Sequence, residues 1–429
     1  NAFGRMIREL SRREGQPGAE VMLTLDMGLQ EYIAKRLGEE SASVVVMDVR
    51  SGDVLAMVSK PSYDSNDFNR GLSTKEWKAL VNNERSPLIN KSIAGVYPPG
   101  SIFKMVVLLA ALEKGVVTPS HKIFCSGEYE LGEAKFHCWK RHGHGFVDGT
   151  EAITESCDVY FYEIAKRTGI DRIAAMARKF GLNSASGIDL PGEQGGLIPT
   201  RGWKRAARDQ PWHQGETVIA GIGQGFVLLT PLQMALMTAR LANGGRAIVP
   251  HLTRSVGTSV TEKTQSIDVP SLNIPPGHLK LVTDAMNRVV NHPRGTARRS
   301  ATGIEEFPMA GKTGTVQVRR ITKAERDAGV RKNKDMPWKH RDHALFVGFA
   351  PVDNPRYAIS VVVEHGGGGS SVAAPIASDV MAEAYRRNSA GPGAGIAGAA
   401  PQQNTTTDTR AEEDVERPTT IAQDEGGQT

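Results

Sequence analysis

Long apolar runs are absent. No window approaches the unbroken hydrophobic length that a bilayer span needs, and the best candidate, "MVVLLAALEKGVV", is short and carries Glu113 and Lys114. A secretory signal is absent too, and the chain opens on Asn1 rather than Met, so it reads as a fragment whose targeting segment is left out. Acidic residues are outnumbered, giving a formal charge of +5 and a pI near 9.0. Much of the excess lies in "RRITKAERDAGVRKNKDMPWKHR", where nine Lys or Arg face three acids with a single aromatic among them. Such a run reads as a solvated loop, and nucleic acid is not an expected partner. Cysteine is the scarcest chemistry-bearing residue, with three in 429, so each calls for a specific reason. Cys157 sits in "TESCDVY", between a serine and an aspartate.

What is present is ordinary for a globular protein: 39% hydrophobic and 23% charged residues, in a length that suits one large or two ordinary domains. Residues 1–20 are charged and weakly patterned. "VMLTLD" predicts a short strand and "MGLQEYIAKRLG" an amphipathic helix closed by Gly38. "ASVVVMDV" and "DVLAMVS", separated by Arg50-Ser51-Gly52, predict a hairpin. From about 74 to 300 the pattern is mostly helical with Gly/Pro-punctuated loops. "PMAGKTGTVQV", "HALFVGFAP" and "RYAISVVVE" are late strands, and "VAAPIASDVMAEAYRR" has helical spacing. Two early and three late strands with helices between predict one mainly antiparallel sheet closed by both ends of the domain. Residues 388–429 have no periodicity and almost no bulky apolar residue, and predict a disordered tail.

Three stretches have the residue types for acyl-transfer chemistry. In "YPPGSIFKMVVLLAALEKG", Pro98-Pro99-Gly100 breaks the chain and puts Ser101 at a helix start, with Lys104 one turn on. A serine hydroxyl needs a neighbouring base, and a lysine serves only when burial or another cation lowers its pKa. Helix N-terminal N–H groups add stabilisation for an oxyanion. Taken alone, a serine cap followed by a surface lysine is the plainer reading. In "AGKTGTVQV", Lys312-Thr313-Gly314-Thr315 lies on a strand where glycine lets a ligand backbone approach, beside a cation and hydroxyls suited to a carboxylate. A bulged edge strand would explain it equally. Ser156-x-Asp158 in "TESCDVY" offers a hydroxyl and an acid for proton transfer. Ser271-Leu272-Asn273 fits a similar template, but it lies in a proline-flanked connector, whereas Ser156 leads directly into a helix.

Ser-x-x-Lys, Ser-x-Asp and Lys-Thr-Gly in this order are the motif set of penicillin-binding proteins and serine β-lactamases. With "PSYDSNDFN", "YPPGSIFK", "WKRHGHGFVDGT", "PTRGWK", "PWHQGETVIAGIGQGF" and "RDHALFVGFAP", the chain resembles the transpeptidase domain of class B penicillin-binding proteins, the penicillin-binding protein 2 group of rod-shape elongation, over roughly residues 1–386. The resemblance implies the penicillin-recognising α/β (α+β) fold, a mostly antiparallel five-stranded sheet flanked by helices. It implies residues 1–20 as a remnant of an N-terminal pedestal or linker, 21–387 as the transpeptidase domain and 388–429 as the tail. It also implies a serine D,D-transpeptidase that cross-links peptidoglycan stem peptides and is inhibited by β-lactams. Ser101 would attack the D-Ala–D-Ala carbonyl with Lys104 as base, and Ser156 and Asp158 would carry the proton. Lys312 and Thr313 would hold the substrate carboxylate beside Gly314, and the N–H groups of Ser101 and Thr315 would form the oxyanion hole. Many relatives have Asn where this chain has Asp158, which accepts hydrogen bonds but cannot donate. Implied partners are a SEDS-family glycan polymerase and the scaffold of the rod complex. The implied location is the periplasmic face of the bacterial inner membrane, through an anchor absent from this sequence. The chemistry requires no cofactor. Rival readings are a D,D-carboxypeptidase or β-lactamase, and a non-catalytic penicillin-sensing or scaffold domain.

The cysteines fall outside that motif logic. All three, with four of the eleven histidines, lie between His121 and Cys157. The spacing Cys125-x12-Cys138-x5-His144-x12-Cys157 supplies four ligands for a tetrahedral structural zinc, with His142 as the alternative nitrogen. A Cys125–Cys138 disulfide that leaves Cys157 a buried thiol is the competing reading, and the implied oxidising compartment favours it.

Overall fold

The computed structural model describes residues 15–389 apart from 16, 258, 261–268, 320, 322–324 and 326–327. Most of the expected N-terminal remnant and all but the first residues of the expected tail lie outside the described residues. Strand β1 (Val21–Leu23) leads into helix α1 (Met27–Leu37), which starts where the Asp26 carboxylate accepts from Leu29 N at 3.0 Å. Strands β2 (Ala42–Asp48) and β3 (Val54–Lys60) follow as the predicted hairpin. Two exposed helices, α2 (Asn66–Arg70) and α3 (Thr74–Val81), precede α4 (Lys104–Glu113). Helix α4 is apolar all round and buried from Lys104 to Leu112, as such a composition requires.

Four short strands come next: β4 (Ile123–Cys125), β5 (Glu128–Leu131), β6 (Ala134–His137) and β7 (Gly145–Val147). They form two two-stranded ladders, β4–β7 and β5–β6, in a region whose pattern reads as loops between helices. At three or four residues each, they are too short for alternation to stand out. Helices α5 (Gly149–Thr154), α6 (Asp158–Thr168), α7 (Ile170–Lys179), α8 (Arg201–Arg208), α9 (Gln214–Ala220) and α10 (Pro231–Ala242) follow. Strands β8 (Thr253–Val256) and β9 (Ser259–Val260), helix α11 (Pro276–Asn291), strands β10 (Ala310–Val316), β11 (His343–Ala350) and β12 (Tyr357–Val363), and helix α12 (Ala374–Ser389) complete the order.

The central sheet has the order β10-β11-β12-β2-β3 and is antiparallel throughout, two strands from the start of the domain and three from its end. Its faces can be read from strand periodicity. Val44 and Val46 of β2 enter one core with Leu29 and Ile33 of α1 and Ile376 and Val380 of α12. Val45 and Met47 enter a second core with Leu232 and Leu236 of α10. One edge of the sheet is closed by a side chain. The Gln30 amide donates to Met57 O and accepts from Met57 N, both at 2.8 Å, which satisfies part of the outer side of β3. The other edge is β10, which carries Lys-Thr-Gly. "VMLTLD" is a strand as read, but β1 pairs with β8 in a separate small sheet. That sheet is tied to β3 by a buried ion pair, His251 Nε2 to Asp53 Oδ1 at 2.9 Å, with Arg254 2.8 Å from the second carboxylate oxygen. No helix among the described residues is long and apolar enough to cross a membrane.

Candidate active site

Ser101 sits in a single 3-10 turn, Gly100–Phe103, that runs into α4, so Lys104 opens the α-helix proper. Gly100 has φ of 55° and donates its N–H to Gly223 O at 2.9 Å. A Cβ on Gly223 would fall 2.2 Å from Gly100 O, so only glycine lets these two segments meet and fix the serine turn.

The Lys104 side chain is fully buried. Its ammonium donates to Ser156 O at 3.0 Å, Ser156 Oγ at 3.2 Å and Asp158 Oδ1 at 2.7 Å, and it lies 5.4 Å from the centre of the Phe161 ring. Ser156 lies at the turn between α5 and α6 with φ of 57°, a left-handed conformation unusual outside glycine and a form of strain that clusters at functional sites. From β10, the equally buried Lys312 donates to the same Ser156 Oγ at 2.9 Å and to Thr313 O at 3.1 Å. One hydroxyl therefore accepts from two lysines that arrive from 52 residues before it and 156 residues after it. Burial pushes the Lys312 amine well down from the ordinary lysine range, and the Lys104 charge beside it pushes the same way. Asp158 supplies one carboxylate to this pair of amines, matched to Lys104. An Asn there would leave the two amines without a counter-charge.

The remaining residues read from the motifs lie on the same strand. Gly314 is buried, and a Cβ there would come within 3.1 Å of Pro99 O, so the strand passes close beneath the serine turn. Thr315 is exposed, and its hydroxyl accepts from Gly369 N at 3.0 Å. Thr313 is nearly buried, with Oγ1 2.8 Å from Thr296 Oγ1. Ser271, of the alternative Ser-x-Asn template, is exposed, and no hydrogen bond joins it to either lysine.

Behind Ser156 the three cysteines are buried and unpaired, and they close on one point with His144. One ligand atom from each of Cys125, Cys138, His144 and Cys157 lies within 4.8 Å of the others. His144 Nδ1 is 3.6 Å from Cys125 Sγ and 3.5 Å from Cys138 Sγ. His142 is exposed. The three thiols compete: hydrogen bonds from Cys138 and Cys157 pull Cys125 down, while the same crowding pushes Cys157 up. Sequence reasoning missed Trp139, which joins this cluster to the Ser-x-Asp turn. Its N–H donates to Asp158 Oδ2 at 2.9 Å, its indole N–H donates to Ser156 O at 3.1 Å, and Asp158 N donates to Cys138 Sγ at 3.4 Å. Its position directly after Cys138 was the available signal. Thr296 was also missed, and no motif marks it.

The penicillin-binding protein transpeptidase domain, as a family model, matches residues 42–382. The chain belongs to this family. It is 40% identical to peptidoglycan D,D-transpeptidase MrdA of Haemophilus influenzae, over 89% of this chain and 58% of that protein. It is likewise 40% identical to MrdA of Escherichia coli K12, over 87% and 59%. The chain therefore spans less than two thirds of the length of these curated relatives. Among solved structures, Pseudomonas aeruginosa PBP2 in complex with WCK 5153 superposes with a TM-score of 0.76 at 41% identity, covering 86% of this chain and 79% of that one. A complex of Helicobacter pylori PBP2 with MreC gives 0.74 at 33% identity, covering 86% and 64%. The fold is the family's, with the expected five-stranded antiparallel sheet flanked by helices.

Proposed function

We propose that this chain is a serine D,D-transpeptidase unit, residues 21–387, that cross-links peptidoglycan stem peptides during cell elongation. The observation that carries the reading is the Ser156 hydroxyl held between two buried lysine amines, of which Lys104 stands one turn of chain after Ser101. In the first step Ser101 Oγ bonds to the carbonyl carbon of the penultimate D-Ala. The peptide bond to the last D-Ala breaks, and its nitrogen leaves as an amine after taking a proton through Ser156. In the second step an acceptor amine attacks the ester carbonyl, Ser101 recovers its proton, and a new peptide bond forms. Lys104 removes the serine proton as the free amine and returns it as the ammonium. Lys312, with its lowered proton affinity, exchanges protons with Ser156, which joins the two amines. Lys312 and Thr313 bind the terminal carboxylate, Gly314 leaves room for an extended peptide along β10, and the N–H groups of Ser101 and Thr315 receive the oxyanion. Exposure to a β-lactam followed by intact-mass analysis tests the nucleophile. One stable adduct on the wild type and none on Ser101→Ala is expected, and an adduct that persists in Ser101→Ala contradicts it.

Cys125, Cys138, His144 and Cys157 hold a structural zinc in this reading. The fit rests on size: zinc–sulfur bonds near 2.3 Å and zinc–nitrogen bonds near 2.0 Å at tetrahedral angles give a sulfur–nitrogen edge of about 3.6 Å, and the two observed edges are 3.6 and 3.5 Å. Three crowded thiols without a cation cannot all ionise, which a divalent metal reverses. The metal's part is to fix the loop bearing Trp139 behind Ser156 and Asp158, and no step of the reaction passes through it. The implied setting is the periplasmic face of the inner membrane. The partners are a SEDS-family glycan polymerase and a rod-complex scaffold. The MreC complex of Helicobacter pylori PBP2 supports the scaffold partner.

A further inference from the structure

The loop between α11 and β10 is held from both sides of the cleft. Gly295 packs so closely on the end of α11 that a Cβ there would fall 2.3 Å from Val289 O. Arg294 pairs with Glu155 at 2.9 Å and Glu151 at 3.3 Å, both beside the Ser156 turn. Thr296 then reaches two ways. Its N–H donates to Thr154 O at 3.4 Å, and its hydroxyl lies 2.8 Å from Thr313 Oγ1. One short loop thus spans the second and third motifs, and a single hydroxyl touches the residue assigned to the substrate carboxylate.

The consequence lies in the direction of one proton. Each threonine hydroxyl carries a single hydrogen and can accept as well. If Thr313 donates to Thr296, its proton is used within the protein. If Thr296 donates to Thr313, the Thr313 proton is free for the cleft and is polarised by the bond it accepts. A carboxylate only accepts, so its arrival selects the second arrangement. We propose that Thr296 is a positioning residue for the carboxylate subsite, donating to Thr313 Oγ1 so that Thr313 donates to acyl donors that end in a free carboxylate. The inference rests on the assignment of Lys312 and Thr313 above, and it adds the residue that orients the second of them.

The test compares a β-lactam bearing a free carboxylate with its methyl ester, as acylation rates of the full chain. Losing one hydrogen bond of this kind corresponds to about fivefold to tenfold in binding. Thr296→Val is expected to lower acylation by the acid about fivefold to tenfold through weaker binding, with the maximal acylation rate unchanged. The ester rate should stay the same, and Thr296→Ser should restore the wild-type preference. If the Val variant melts early, Thr296→Ala carries the same expectation. An unchanged acid-to-ester ratio, or an equal fall for both compounds, overturns the inference while leaving Ser101 as the nucleophile. A wild type that neither compound acylates overturns the transpeptidase reading itself.

Discussion

Ser156 occupies a strained backbone conformation in order to place its Oγ within 3.2 Å of Lys104 and 2.9 Å of Lys312. Both lysines donate to it, which leaves its own hydrogen free to turn toward a leaving group. In the proposed mechanism this hydroxyl carries the proton, and removing it should cost that transfer without disturbing the serine turn. Ser156→Ala is expected to slow acylation by a β-lactam on the order of 100-fold, as loss of a general acid–base group does. Stopped-flow acylation rates measure it, and a fall of less than about threefold would show that the lysines act without the relay. At this scale the three motifs were legible because each is short and local. Trp139 and Thr296 were not, since their importance lies in bonds to residues 17 to 19 positions away and 17 positions away that spacing alone does not reveal. The choice of Asp158 over Asn also became intelligible only once two buried amines were seen around it.

Among the elements, four strands of the central sheet stand out in the sequence because each is a mainly apolar run of seven or eight residues, and the fifth, β10, stands out through its Lys-Thr-Gly motif. The four strands β4 to β7 do not, because their pairing is organised by the Cys/His cluster and by glycines at 143 and 145 with φ above 70°. A metal there would tie β4 to the start of α6, since Cys125 ends the one and Cys157 precedes the other. Protein prepared without a histidine tag is expected to contain about one equivalent of zinc. Chelation should expose three thiols, and Cys138→Ser should lose the metal and slow acylation through a loosened Ser156 turn. Less than half an equivalent, with thiol reactivity unaltered by chelator, would leave the cluster a set of packed cysteines.

Across the whole molecule, two sheets are joined by the Asp53–His251 pair, so its charge state should register in global stability. Burial alone would raise the Asp53 pKa, but the His251 and Arg254 side chains set against its carboxylate outweigh it and hold Asp53 at about 2, against 3.8 ordinarily. Burial disfavours the His251 cation, yet its bonds to Asp53 and Val249 O raise its pKa above 6.5. A depressed carboxylate contributes stability above its unfolded pKa and loses it as pH falls from about 4 to about 2. A raised histidine contributes fully below its unfolded pKa and loses it as pH rises through the folded one. The pair is therefore worth most from about pH 4 to 6.5. Asp53→Asn should cost about 2 kcal/mol at pH 5.5 and progressively less toward pH 3, by denaturant unfolding. A cost independent of pH would mean that the pair acts by packing alone.

The central claim is acyl transfer from Ser101 to an amine. A peptide donor ending in D-Ala–D-Ala, supplied with a D-amino acid acceptor, tests it by mass spectrometry of the products. The account predicts a donor peptide carrying the acceptor in place of its last D-Ala, formed by the wild type and absent with Ser101→Ala. Release of the shortened peptide to water alone, or rapid repeated hydrolysis of a β-lactam, would contradict it.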